Sequence, residues 1–320
     1  MNHLIPTTSI RGYQPSSSGR IPQYENCRLC PRSCGANRYE ASGFCGCGTV
    51  PKAARASLHQ WEEPCLSGIH GSGTVFFSGC TLRCCFCQNY RISSEGFGKE
   101  ISISRLSEIF LKLQEQGAHN INLVTATQFL PSVIQALESA RPFLRIPVVY
   151  NCGGYESLET VQALEPYVDV WLPDLKYISS LYSKAPDYFS AASRAVQQMI
   201  RQTGPLLFEE YAEHGQTCRL LKRGTILRHM VLPGQKEDSI RLLDWISETL
   251  PRGQFLLSLL SQYTPFYKSS EHPEINRRIT TYEYEKVLDH AIRLGLTDGF
   301  MQEKSSAKEE YTPPFELQGI

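Results

Sequence analysis

The chain has 320 residues, and its 32 Lys and Arg balance 32 Asp and Glu, so one large domain with a small appendage is expected, without the basic excess that a nucleic-acid partner would ask for. No apolar run is long enough to span a bilayer, and the polar first 23 residues lack the apolar centre of a signal peptide, so a cytoplasmic chain with no membrane partner is expected. There, twelve cysteines favour metal ligation over disulfides.

Composition divides the chain into a flexible arm over residues 1–23, a Cys-rich N-terminal segment over 24–70, an α/β body over 71–300 and a tail over 301–320. The Cys-rich segment carries Cys27, Cys30, Cys34 and Cys45 at C-x2-C-x3-C-x10-C spacing, with Cys47 as a substitute for Cys45. Four thiolates complete a closed site, and a segment this small would need such a staple. Zinc and an iron–sulfur cluster both fit the spacing, and reduced cysteines without metal are the plain alternative. The next stretch, residues 53–73, places His59, Trp61, Glu62 and Glu63 together. It reads either as a solvated linker with Trp61 packed as an anchor or as the lining of a pocket, with His59, Glu62 and Glu63 as substrate-binding candidates.

A buried strand over 74–77 then runs into Cys80, Cys84 and Cys87 at C-x3-C-x2-C spacing, with Phe86 before the last cysteine. Three thiolates on one loop leave one iron of a cubane cluster without a protein ligand, a place where a small molecule coordinates. Cys85 is a surplus thiol and reads as a packing residue.

From here β-rich runs alternate with helical periodicity. Strands are predicted over 74–77, 121–125, 146–150, 168–172, 225–232 and 255–260, and helices over 105–116, 132–140, 158–165, 188–202, 238–249 and 281–294. Pro131 near a helix start and Gly117 and Gly295 past helix ends agree with those limits. Successive β–α units with right-handed crossovers make a parallel sheet. Curled, it is a partial (β/α)6 TIM-like barrel whose functional loops follow the strand C-terminal ends. Those ends are polar: Thr125 and Thr127, Asn151, Asp174 and Lys176, Arg228, and Gln262. Singly each is a turn residue or a rim salt bridge; converging beside the cysteine loop they outline a site.

The cysteine motif with its aromatic resembles the radical S-adenosylmethionine superfamily. Over roughly residues 24–320 the chain looks like the branch of pyruvate formate-lyase activating enzyme homologues, to which the N-terminal cysteines, residues 273–278 and residues 302–307 are also typical. The resemblance implies that Cys80, Cys84 and Cys87 hold a [4Fe–4S] cluster. It also implies that S-adenosylmethionine chelates the open iron among Phe86, Asn151, Asp174, Lys176 and Arg228. Reductive cleavage would then give a 5′-deoxyadenosyl radical that abstracts hydrogen from a substrate, with an electron donor such as flavodoxin or ferredoxin. The family's Gly-Gly-Glu at the second strand end is replaced here by Thr125-Ala126-Thr127-Gln128; the Thr hydroxyls remain able to bond the cofactor's ammonium. Two substrate classes stay open, a glycine of a glycyl-radical enzyme and a small metabolite. A non-catalytic zinc-binding scaffold is the alternative from another class.

Overall fold

Runs of four to six β-branched, aromatic and leucine residues separated by amphipathic stretches fold as strands and helices in turn. The computed structural model describes residues 23–179, 181–213, 215–302 and 313–320. In chain order it contains β1 (Lys52–His59), α1 (Pro64–Ser67), β2 (Ser72–Phe77), α2 (Tyr90–Ser93), β3 (Lys99–Glu100), α3 (Ile103–Glu115), β4 (Ile121–Val124), α4 (Leu130–Ala140), β5 (Val148–Cys152) and α5 (Leu158–Leu164). There follow β6 (Val170–Pro173), α6 (Tyr188–Thr203), β7 (Leu207–Glu213), β8 (Gln216–Met230), α7 (Lys236–Thr249), β9 (Leu256–Leu260), α8 (Thr281–Arg293) and β10 (Gly299–Met301).

The sheet order is β10-β9-β8-β6-β5-β4-β2-β1-β3, and every pairing from β2 to β10 along it is parallel. This is the α/β partial barrel that the alternation predicts, with β10 as a short further strand. The central strands are buried on both faces, which is why they read as unbroken apolar runs such as Val170-Trp171-Leu172. Helix starts follow from local chemistry. Ser102 and Ser157 accept the N–H of Arg105 and Thr160, and Thr280 closes a capping box with Glu283.

Three elements differ from the sequence reading. The stretch from 53, one reading of which was a linker, is strand β1, antiparallel to β2 and paired from Ala53↔Phe77 to His59↔Ser72. Its small residues Ala53, Ala54 and Ala56 are buried but carry little β-propensity, so the alternation is muted. Trp61 is 55% exposed and is no packed anchor. The fifth strand is far longer than 225–232, because it begins in a hairpin with β7, whose Glu-rich, largely exposed face carries no apolar run.

Among the described residues no helix is long and apolar enough to cross a membrane. Residues 1–22 of the arm and 303–312 of the tail lie outside the described residues. Residues 313–320 lie along β1, where Ala56 N–H donates to Gln318 O and Leu317 N–H to Ala54 O. Phe315 is buried there against Phe76, with ring centroids 5.6 Å apart.

Candidate active site

The loop after β2 is fixed before any ligand is considered. Cys80 Sγ accepts the Leu82 N–H at 3.3 Å, Cys87 N–H closes a turn on Cys84 O at 3.2 Å, and Cys87 Sγ lies 3.2 Å from Ser93 Oγ. Gly153 makes room for the loop: a Cβ there would collide with Leu82. Cys80, Cys84 and Cys87 all face one cavity of about 260 Å³. Cys85 does not line it; its N–H and C=O bind Tyr182 O and Lys268 N, so it serves as a packed hinge of the loop. Phe86 is buried edge-on between Tyr182 and Tyr263, at 6.4 and 5.8 Å. Those tyrosines are tied in turn to Glu274 Oε1 and Ile275 O. The 273–278 stretch thus has a physical purpose, bracing the aromatic wall behind the cysteines. Burial pushes the Cys80 thiol up to about 11 and raises those of Cys84 and Cys87 as well, so ligation releases protons.

The polar strand ends form one connected net. Asp174 Oδ2 accepts Lys176 Nζ at 2.6 Å and its Oδ1 accepts Arg228 Nε at 2.9 Å. Arg228 also donates to Glu62 Oε2 at 3.3 Å and to Asn151 Oδ1. Glu62 Oε1 accepts Asn122 Nδ2 at 2.9 Å and Asn151 Nδ2 at 3.4 Å. Burial would raise the Asp174 carboxyl, but Lys176 and Arg228 outweigh it and hold it below the usual range. Burial wins at Glu62 and Glu63, raising both against the pull of Arg228.

The end of β4 is strained. Thr125, a β-branched residue, has φ 58°, a left-handed conformation that glycine tolerates far better. Thr127 Oγ1 lies 3.0 Å from both Tyr150 OH and Glu156 Oε1. Glu156 is absent from the sequence-derived candidates because it lies four residues past the end of β5, beyond the strand-end sets. Its signal was available: a carboxylate directly after Asn151-Cys152-Gly153-Gly154-Tyr155. Glu156 is 3% exposed, lines the cavity, and its Oε2 has no hydrogen-bond partner among the described residues. Burial pushes its carboxyl up to about 7.

The structure brings Phe86, Thr125, Thr127, Asn151, Asp174 and Lys176 to this cavity, and Arg228, Gln262, His59 and Glu62 as well. Burial, with Arg55 alongside, depresses His59 to about 4. Glu63 is buried but does not line the cavity; it faces Arg228 and Ser258. Cys27, Cys30, Cys34 and Cys45 surround a second, small cavity, and Thr81 lines both. Among the described residues no three His, Cys, Asp or Glu side chains converge on one point as ligands of a single ion would.

Comparison with known proteins adds to this geometry. A family model described as the radical SAM superfamily matches residues 74–246. An uncharacterized protein of Methanocaldococcus jannaschii is 30% identical over 289 residues, covering 85% of this chain and 76% of that protein. Among solved structures, Streptococcus suis SuiB bound to precursor peptide SuiA is 13% identical over 70% of this chain, with a TM-score of 0.44. Methylornithine synthase PylB is 12% identical over 67% of this chain, with a TM-score of 0.45. The chain spans 46% of SuiB and 59% of PylB.

Proposed function

The chain belongs to the radical SAM superfamily, and from that premise we propose that Cys80, Cys84 and Cys87 hold a [4Fe–4S] cluster on which S-adenosylmethionine is cleaved reductively to start radical chemistry on a substrate in the same cavity. The observation that carries this reading is the shared cavity. The three thiols, the Asp174–Lys176 pair and Glu156 all line it. When bound, the cluster supplies an electron to the sulfonium, and the cofactor supplies the carbon radical that takes hydrogen.

The residues present fit both groups. Three thiols leave the position that a chelating amino acid needs. Lys176 spends one Nζ hydrogen on Asp174 and keeps others for a carboxylate. Glu156 and Thr127 stand at the end of β4, where the family's Gly-Gly-Glu carboxylate would be, and suit the N–H groups of the cofactor's amino group. The carboxylate absent from this strand end is thus supplied by the loop after β5. Arg228 holds Asp174, Glu62 and Asn151 in register and, with two of its five N–H groups left over, faces the cofactor's cavity as well. Phe86 with Tyr263 walls off water, and Gln262 lines the rim.

Asp174-x-Lys176, Asn151 and the 273–278 stretch support kinship with the activating-enzyme homologues, and an electron from a donor such as flavodoxin or ferredoxin. Family membership does not favour the zinc-scaffold alternative. The test is anaerobic: the reconstituted protein with dithionite and S-adenosylmethionine should form 5′-deoxyadenosine, and none above the Cys84→Ala background would overturn the proposal. A glycyl-radical signal by electron paramagnetic resonance on mixing with a candidate partner would assign the hydrogen to a protein glycine. Its absence, with deuterium transferred from a labelled metabolite into 5′-deoxyadenosine, would assign it to a small molecule near His59, Trp61 and Pro313.

A further inference from the structure

Residues 24–50 contain neither helix nor strand. Their buried apolar side chains are Tyr24, Leu29 and four cysteines, Cys27, Cys30, Cys45 and Cys47. So little apolar surface cannot offset the entropy of ordering such a segment. The same segment holds a nearly inaccessible cation. Arg38 is 3% exposed, and its guanidinium donates to Cys47 O at 3.1 Å and to Gln128 O and Gly48 O. Its Nη1 stands 4.0 Å from Cys27 Sγ. Among the described residues it has no carboxylate partner. A buried cation without a counter-charge is costly, and the groups placed to supply negative charge are the cysteines.

We propose that Cys27, Cys30, Cys34 and Cys45 form a second metal site, a tetrathiolate centre for zinc or an iron–sulfur cluster, with Arg38 as its buried counter-ion. All four line one cavity with Arg32, Arg38 and Phe44. Three of the sulfurs accept backbone N–H groups from two residues ahead: Leu29 to Cys27, Arg32 to Cys30 and Cys47 to Cys45. The loop after β2 uses the same device, with Leu82 for Cys80 and Asn89 for Cys87. Cys47 is not a ligand. Its sulfhydryl turns to Cys45 O and Ser78 O and packs on Gly79, where φ is 82° and a Cβ would strike the sulfur. Among the described residues no three of these thiols converge on one point, and Cys34 is exposed at the mouth of the cavity, so binding draws the four sulfurs together while each ligating thiol gives up its proton to solvent.

This site stands apart from the barrel reading, and its test keeps them separate. A full-length Cys80→Ala, Cys84→Ala, Cys87→Ala variant removes the barrel ligands. After anaerobic purification with iron, sulfide and zinc supplied, it should keep about one zinc, or about four irons with as many sulfides, per chain. No stoichiometric metal in it overturns the proposal. In that background Cys30→Ser and Cys45→Ser should lose the metal and Cys47→Ser should keep it; loss with Cys47→Ser and retention with Cys45→Ser overturns the ligand set. Alkylation of Cys34, followed by mass spectrometry on the unmutated chain, should slow at least about tenfold when metal is bound. An equal rate with and without metal excludes Cys34 as a ligand and overturns the four-thiolate site.

Discussion

The loop after β2 and the segment over residues 24–50 both gather thiols, but they are ordered by different means. Around the barrel loop, a parallel sheet sets the strand ends and packed tyrosines wall in Phe86. The net through Asp174, Arg228 and Glu62 is complete without any guest. Around the N-terminal cysteines there is no ladder, and five of the seven buried side chains of residues 24–50 are thiols or the cation facing them. The first region is preorganised, so its metal adds chemistry to a standing frame. In the second, the metal site proposed above would make folding and metal binding one equilibrium. Loss of a barrel ligand should therefore damage activity far more than structure, and loss of an N-terminal ligand should do the reverse.

The largest expected effect is at the barrel thiols. Any of Cys80→Ala, Cys84→Ala or Cys87→Ala should lower 5′-deoxyadenosine formation at least about a hundredfold, as loss of an essential group does. The thermal midpoint should move by only a few degrees. Collapse of the barrel in all three variants would break the comparison. Next in size is Arg228→Ala. It strands the buried Glu63 and the half-buried Asp174 and Glu62 around the guanidinium, and breaking an ionic net by removing one partner costs up to about 3–5 kcal/mol where the net is fully buried. Urea unfolding should show a loss of that order. A loss below about 1 kcal/mol would mean that the frame does not rest on this net.

Much of this was legible in the residues, for identifiable reasons. Central strands of a parallel sheet are apolar on both faces, so 121–125 and 168–172 stand out against amphipathic helices. The cysteine loop and the polar strand ends are local in sequence, and the sheet then gathers them at one mouth. Three features were hidden. Strand β1 is made of alanines flanking Arg55 and Ser57, and its partner β2 fixes it, not its own pattern. The β7–β8 hairpin is an exposed extension with no apolar face to announce it. Glu156 belongs to the site only because β5 and β4 are neighbours that bring it to Thr127. Glu62 likewise acquires its place from Asn122, Asn151 and Arg228 on three different strands.

Smaller substitutions sharpen the picture of a preset frame. Lys176→Ala should weaken S-adenosylmethionine binding by about 1.5–3 kcal/mol, roughly tenfold to a hundredfold or somewhat more, with iron content unchanged. Unchanged affinity by titration calorimetry would remove Lys176 from the cofactor's carboxylate. At Glu156 the expected signature is in pH. Burial holds this carboxyl at about 7 against an ordinary value of 4.5. Its contribution to stability in the cofactor-free protein is thus full below 4.5 and is lost as pH rises through about 7. The ionised form is the one that accepts N–H bonds from the cofactor's amino group, so affinity should rise across the same window. Glu156→Gln should flatten both profiles, and a parallel pH dependence in the variant would exclude Glu156 as the titrating group.

The mildest change addresses strain at the end of β4. Thr125 holds φ 58° while its N–H remains bonded to Asn151 O at 2.9 Å, so the sheet enforces a conformation that costs a β-branched residue about 1–3 kcal/mol. Glycine would relieve that cost and lose about 0.4–1 kcal/mol through the freer unfolded chain. Thr125→Gly should therefore raise stability, by about 1 kcal/mol at mid-range, and move the urea midpoint upward. A preorganised frame can hold such strain because neighbouring strands over-determine the position. If the midpoint instead falls, the backbone there is not strained, and the rigidity assigned to the barrel mouth has to come from the Asp174–Arg228 net alone.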